Sequence, residues 1–284
     1  MTAIGNLRDG FFDYAGLFPP ANLELETALE NYGSYRRGKD ARALGRFIVD
    51  LDRVKALLEA AGDDFQDLRL SVVAAANANW DTLRCLLDHG APIESIEIKP
   101  AAPSVIASIA ARLPAGLATW FEVPFDASHT AALDAICTAG ANAKLRMGGV
   151  VAEAFPSTRC VAGVLQAIAD RHLSFKATAG LHHPLRSRHA FTSSPASTTG
   201  MMHGFVNLCC AATLIHLGGD ADDATAVLEE TDPRSWSVTP DSIGWRGVTW
   251  GGEEIRAARQ EFFVSIGSCS FVEPMADLEA LGWR

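Results

Sequence analysis

No apolar run in the 284-residue sequence approaches the ~20 residues that a membrane-crossing helix requires. The opening stretch Met1-Thr-Ala-Ile-Gly-Asn-Leu-Arg8 also lacks the apolar core of a secretion signal. A cytoplasmic protein that does not engage membranes is the expectation. Basic charge is scarce: 24 Lys and Arg stand against 34 Asp and Glu, a formal net charge of −10, with no basic stripe to offset it. Nucleic acid, whose phosphates need clustered cations, is therefore not an expected partner. The six cysteines, at 85, 137, 160, 209, 210 and 269, include no Cys-x-x-Cys and no Cys/His spacing of a zinc site. They read as free thiols, with Cys209-Cys210 packed inside an apolar helix. Neither Gly-x-Gly-x-x-Gly nor a Walker-type loop follows any early strand-like segment, so no nucleotide cofactor is implied.

What the chain does have is 48% hydrophobic residues, enough for a large core, and a regular alternation of short β-rich runs with amphipathic stretches. Strands are expected at Phe11–Tyr14, Leu44–Leu51, Leu68–Ala75, Ile93–Lys99, Leu117–Val123, Ala143–Met147, Leu173–Thr178 and Ile243–Trp250. Helices are expected at Leu23–Arg37, Asp52–Ala61, Asn79–His89, Pro103–Leu113, Ser128–Ala139, Arg159–His172 and Met201–Leu217, with another starting near Gly252. Gly62, Gly90 and Gly140 are placed to stop helices. Eight such units in one chain fit an α/β fold, a single (β/α)8 TIM barrel over residues 1–284. A doubly wound open sheet is the alternative. Residues 181–200 follow the seventh strand as a long irregular segment and read as a lid. Ala221–Glu230 and Phe271–Arg284 read as C-terminal additions covering the barrel.

Barrel strands turn every second side chain inward, and catalytic groups come from their C-terminal ends. That alternation sends Glu97 and Lys99 inward from the fourth strand, Trp120 and Glu122 from the fifth, Lys144 and Arg146 from the sixth, and Lys176 and Thr178 from the seventh. Burying an unpaired ion costs several kcal/mol, so charges in this number are either paired with one another or used. A purely supporting ion-pair network, Glu97 with Lys99 and Glu122 with Lys144, is one outcome. The other is chemistry: two lysines on neighbouring strands suit imine formation, since a nearby cation favours the neutral amine that attacks a carbonyl. Glu97 and Glu122 are then the proton carriers, and Arg146 holds an anionic group.

Asn142-Ala-Lys-Leu-Arg-Met-Gly-Gly149 and Phe175-Lys-Ala-Thr-Ala-Gly180 resemble the lysine-bearing strands of class I aldolases, especially the deoxyribose-phosphate aldolases. That family is a (β/α)8 barrel with its Schiff-base lysine on strand six and a second lysine on strand seven. The resemblance implies Lys144 as the Schiff-base residue and Lys176 as the lysine that tunes it. It covers two short motifs, and Leu181-His-His-Pro-Leu-Arg186 stands where the family has its phosphate-binding continuation. Over its whole length the chain is similar to a set of uncharacterised bacterial proteins carrying Phe-Pro-Pro-Ala, Phe-Lys-Ala-Thr-Ala-Gly-Leu-His-His-Pro and Met-His-Gly-Phe, here starting at Phe18, Phe175 and Met202.

Histidines gather at 182, 183, 189 and 203, where the seventh loop of a barrel would meet its active face. His203 is expected to assist catalysis, with Asn207 four residues on and on the same helical face. His182, His183 and Arg186 are expected to bind substrate from the lid, and Asp13 from the end of the first strand. The resulting expectation is a carbon–carbon lyase that forms a lysine Schiff base with a small anionic carbonyl compound, using no cofactor and no metal, and associating as a homo-oligomer if its alanine-rich helices pair. Two alternatives remain: a metal-dependent lyase, isomerase or hydrolase using the histidine cluster, and a barrel that binds a small anion without chemistry.

Overall fold

The computed structural model describes residues 2–62, 67–192 and 194–283. A short helix, α1 (Ala3–Arg8), precedes the first strand. The chain then alternates through β1 (Phe12–Tyr14), α2 (Leu25–Arg37), β2 (Leu44–Asp50), α3 (Val54–Ala61), β3 (Leu70–Ala74), α4 (Trp80–Asp88), β4 (Ile93–Ile98), α5 (Pro103–Ala110), β5 (Ala118–Val123), α6 (His129–Thr138), β6 (Asn142–Arg146), α7 (Thr158–Ala169) and β7 (Phe175–Thr178). A hairpin of β8 (Ser187–Ala190) and β9 (Thr199–Met202) follows, then α8 (Phe205–His216) and α9 (Ala221–Glu229). An antiparallel sheet of β10 (Trp236–Val238), β11 (Ser242–Trp245) and β12 (Val248–Gly251) comes next, and α10 (Gly252–Glu261), β13 (Phe263–Ser268) and α11 (Val272–Ala280) end the chain.

Eight parallel strands close in the order β1-β13-β7-β6-β5-β4-β3-β2, so the fold is a (β/α)8 TIM barrel and not an open sheet. Local chemistry explains its regularity. Asn79 and Ser157 cap α4 and α7 by accepting the backbone N–H of Asp81 and Cys160. Gly90 and Gly140, at φ 80° and 63°, turn the chain out of the helices that precede them.

One strand lies elsewhere than expected. Ile243–Trp250 is not the eighth barrel strand: it is the β11–β12 hairpin, with Trp245 paired to Val248 across Arg246-Gly247. Both turn residues have positive φ, 43° and 87°, as a two-residue type I′ turn demands. The aromatic run that mimics a barrel strand is instead tied to buried Glu230, which accepts Trp245 Nε1–H at 3.0 Å and pairs with Arg246 at 2.7 Å. The barrel is closed by β13, which has one aromatic residue where that run has two tryptophans, paired with β1 and β7. Two further boundaries differ. The segment 181–200 is not irregular throughout, because it forms most of the β8–β9 hairpin. The helix expected from Met201 starts only at Phe205, Met201 and Met202 belonging to β9.

The apolar core lies between the barrel wall and the helices. Phe47, Val72, Ile96, Phe121, Ala143, Leu145, Phe175 and Ala177 face outward into it. The interior is unusual for such a barrel, where apolar layers are the norm. Ser71, Ser95, Ser265, Asp13, Glu97, Lys144 and Lys176 are all buried there, beside a small apolar cluster of Ala15, Ile48 and Val73 with Phe18. At the far end Arg259 closes the barrel, donating to the carbonyls of Leu7, Asp9, Phe263 and Val264 and lying 4.1 Å from the Phe11 ring centre.

Candidate active site

The side chains from alternate positions of five strands form one chain of charge. In register, Glu122 of β5 stands opposite Lys144 of β6, which stands opposite Lys176 of β7. Lys144 Nζ lies 3.4 Å from Glu122 Oε2 and 3.1 Å from Glu97 Oε2. The other Glu97 oxygen accepts from Lys176 Nζ at 2.5 Å, and Lys176 also donates to Asp13 Oδ2 at 2.8 Å. Glu97 therefore bridges the two lysines.

Neutral donors fill the remaining positions on these carboxylates. Ser71 donates to Glu97 Oε1 and receives from Ser95, each at 2.7 Å, while Ser265 donates to Asp13 Oδ2 at 2.8 Å. The Arg46 backbone N–H donates to Asp13 Oδ1 at 2.7 Å. Gly45 is required beside it, because a Cβ there would overlap Asp13 Oδ1.

Burial alone would push the Glu97 carboxyl up, but the ammonium groups of Lys176 and Lys144 and the Ser71 hydroxyl outweigh it and bring it down to about 2. Burial likewise opposes the charge on Lys176, and the two carboxylates it touches reverse that, holding it above the ordinary lysine value. Lys176 is thus a fixed cation next to Lys144.

A cavity of about 460 Å³ opens above this network, at the C-terminal ends of the strands. Glu97, Glu122 and Lys144 reach it from below, and Thr178, Gly180 and Gly267 line its wall. Arg146 and the Lys99–Asp50 pair, whose ions are 3.2 Å apart, stand on the same lining with Pro19, Pro20, His182 and Cys269. Phe191 and Met202 bring the β8–β9 hairpin to it, and Phe191 stacks on Phe155 with ring centres 5.1 Å apart.

The structure therefore brings Glu97, Lys99, Glu122, Lys144, Arg146, Thr178 and His182 together around one space. Asp13 and Lys176 lie buried behind them and do not line it. The remaining expected site residues are placed differently. His203 precedes α8 rather than sitting on it, so its spacing from Asn207 carries no helical-face meaning. It is buried, Nε2–H donating to the Pro156 carbonyl at 2.8 Å, with no hydrogen-bond partner for Nδ1 among the described residues. Burial lowers it to about 4, against the weaker upward pull of the Pro156 bond.

Asn207 staples the fold: it accepts the Arg186 backbone N–H at 2.9 Å and donates to the Val227 and Glu230 carbonyls. The Arg186 side chain does not line the cavity. His183 lines a second, adjoining chamber, its Nδ1 2.6 Å from Asp277 Oδ2 and its ring stacked on His189 at 3.4 Å.

Sequence reasoning missed Cys269, which follows the true eighth strand, and Ser265, the inward residue of that strand. Their signal is the alternation in Phe263-Val-Ser-Ile-Gly-Ser268, masked by the stronger aromatic run twenty residues earlier. Among the described residues no three or more His, Cys, Asp or Glu side chains are grouped to hold a metal ion, and no helix is long and apolar enough to cross a membrane. No protein-family model matches the chain, and no curated protein matches it.

Proposed function

We propose that the protein is a carbon–carbon lyase that forms a Schiff base between Lys144 and a small carbonyl compound carrying an anionic group. One observation carries the reading: of the two inward lysines bridged by Glu97, Lys144 alone lines the cavity, with a second carboxylate, Glu122, beside it.

In this reading Lys144 Nζ gives a proton to Glu122 and attacks the carbonyl carbon. The carbonyl oxygen takes up that proton and a second one released by the nitrogen, and the carbon–oxygen bond breaks as water leaves. The resulting iminium draws electrons from the bond between its α and β carbons. That bond breaks to leave an enamine as the β-hydroxyl gives its proton to Glu122 and departs as a carbonyl compound. The enamine takes that proton at its α carbon, and water hydrolyses the iminium to free Lys144. An iminium carries the same single positive charge as the ammonium it replaces, so the iminium compensates Glu97 as the ammonium does. Lys176 is held as a cation beside Lys144 by Asp13 and Glu97. Arg146 and Lys99 are the cations that hold the anionic group. His182 faces the same space.

The test is incubation with a panel of small aldehydes and ketones, pyruvate and a triose phosphate included, followed by borohydride reduction and mass analysis of peptides. The expected result is an adduct on Lys144, absent in Lys144→Met. Folded protein that yields no adduct with any compound overturns imine chemistry for that panel. Thermal stabilisation by the same compounds without an adduct would then mark a binding barrel, the reading favoured by the mutual pairing of Lys144, Glu97 and Glu122.

A further inference from the structure

A second nucleophile stands on the same lining. Cys269 follows the last residue of β13, and its sulfur lies 3.8 Å from His182 Nε2. On the other side of the ring, His182 Nδ1 is 3.0 Å from Glu273 Oε2, in the first turn of α11. The carboxylate takes the Nδ1–H and so directs Nε2 at the sulfur. The turn that carries the thiol is itself pinned: Ser268 Oγ donates to the Ser270 carbonyl at 2.7 Å, and Ser270 Oγ accepts the Glu273 N–H at 3.2 Å.

Cys269, His182 and Glu273 also line the adjoining chamber of about 360 Å³, whose walls include no lysine or arginine among the described residues.

We propose that Cys269, His182 and Glu273 form a thiol–imidazole–carboxylate triad, a nucleophilic centre that takes small acyl compounds and carries the acyl group as a thioester. The thiol proton passes to His182 Nε2 and sulfur bonds to the acyl carbon. The bond from that carbon to the leaving oxygen breaks, and the proton on His182 goes with it. Water then attacks the thioester, giving its proton to His182. The carbon–sulfur bond breaks, sulfur recovers the proton, and a carboxylic acid is released.

The other cysteines supply internal references. Cys85, Cys137 and Cys160 are more exposed than Cys269, which favours them if access alone decides. Cys85 even has a histidine nitrogen 3.7 Å away, but that Nδ1 is already bonded to the Cys85 carbonyl at 2.7 Å.

The experiment treats the intact protein with p-nitrophenyl acetate at neutral pH and follows acetylation of each cysteine peptide with time. Acetylation of Cys269 at least ten-fold faster than of the three exposed cysteines, and a ten-fold or greater fall in His182→Gln, is the expected result. Cys269 reacting no faster than Cys85 overturns the triad, and that comparison needs only the unmodified sequence. A fast Cys269 whose rate survives His182→Gln overturns it as well. The lysine reading fails separately, since borohydride trapping reports an amine and acetylation reports a sulfur.

Discussion

Glu97→Gln is the substitution that most directly probes the barrel interior. It keeps the size and one acceptor of the side chain but withdraws the negative charge shared by Lys144 and Lys176. Lowering a carboxyl from 4.5 to about 2 corresponds to about 3 kcal/mol of preference for the folded state. Breaking a buried pair from one side costs ~3–5 kcal/mol, because the remaining charge is left uncompensated. Here two cations are left, only one of them with another carboxylate within 3 Å.

Because the folded carboxyl titrates below its unfolded value, this stability is fully present above pH 4.5 and is lost as pH falls toward about 2. The variant is therefore expected to be ~3–5 kcal/mol less stable at neutral pH, with the gap to the parent narrowing by about 3 kcal/mol down the acid limb. Denaturant unfolding of both proteins at neutral pH and at acid steps measures it, other carboxylates cancelling in the difference. A gap under ~1 kcal/mol at neutral pH, or one that stays constant with acid, refutes the bridging role.

Three other outcomes follow from the same geometry. His203, brought from 6.5 to about 4 by burial, resists protonation in the fold, so the parent is expected to lose about 3 kcal/mol as pH falls from 6.5 to about 4. His203→Gln lacks that loss, and parallel pH–stability curves for the two would contradict it. Gly45→Ala is expected to displace Asp13 from Lys176 and cost ~1–3 kcal/mol by overpacking, an effect read from the denaturation midpoint and refuted by an unchanged one. Saturating phosphate is expected to raise the melting temperature of the parent, by about 2.7 kcal/mol of stabilisation at a hundred times Kd. Arg146→Met should lose most of that rise, and equal rises in both proteins would remove Arg146 from anion binding.

The barrel was legible because each βα unit repeats the same two periods, and because Glu97, Glu122 and Lys144 sit at inward positions whose alternation with apolar neighbours survives small errors in strand ends. Register alone could not tell Lys176 from Lys144. Both turn inward, yet the contacts of Asp13 and Glu97 decide that one is buried behind the other. The eighth strand was misplaced because hydrophobicity and aromatic content mark a hairpin as strongly as a barrel strand. The Arg246-Gly247 pair that separates the two cases is a weak turn signal next to Asn-Gly or Asp-Gly. His203 and Asn207 misled for a related reason: their spacing has meaning only inside a helix, and α8 begins after His203. Cys269 is a matter of long-range assembly, its two partners lying on other elements.

Asp13 belongs to the first barrel strand, and the Ser265 hydroxyl that binds it belongs to the last. The seam where the barrel closes is thus also where its polar network is completed. On the ribosome, where the N-terminal part of a chain emerges first, both lysines and all three carboxylates are made before the strand that shuts them in. Cys269 and Glu273 follow only after it. A chain halted short of residue 263 holds the charged side chains but neither the wall that desolvates them nor the sulfur at the rim, so the surroundings of Lys144 are assembled only once β13 has been made.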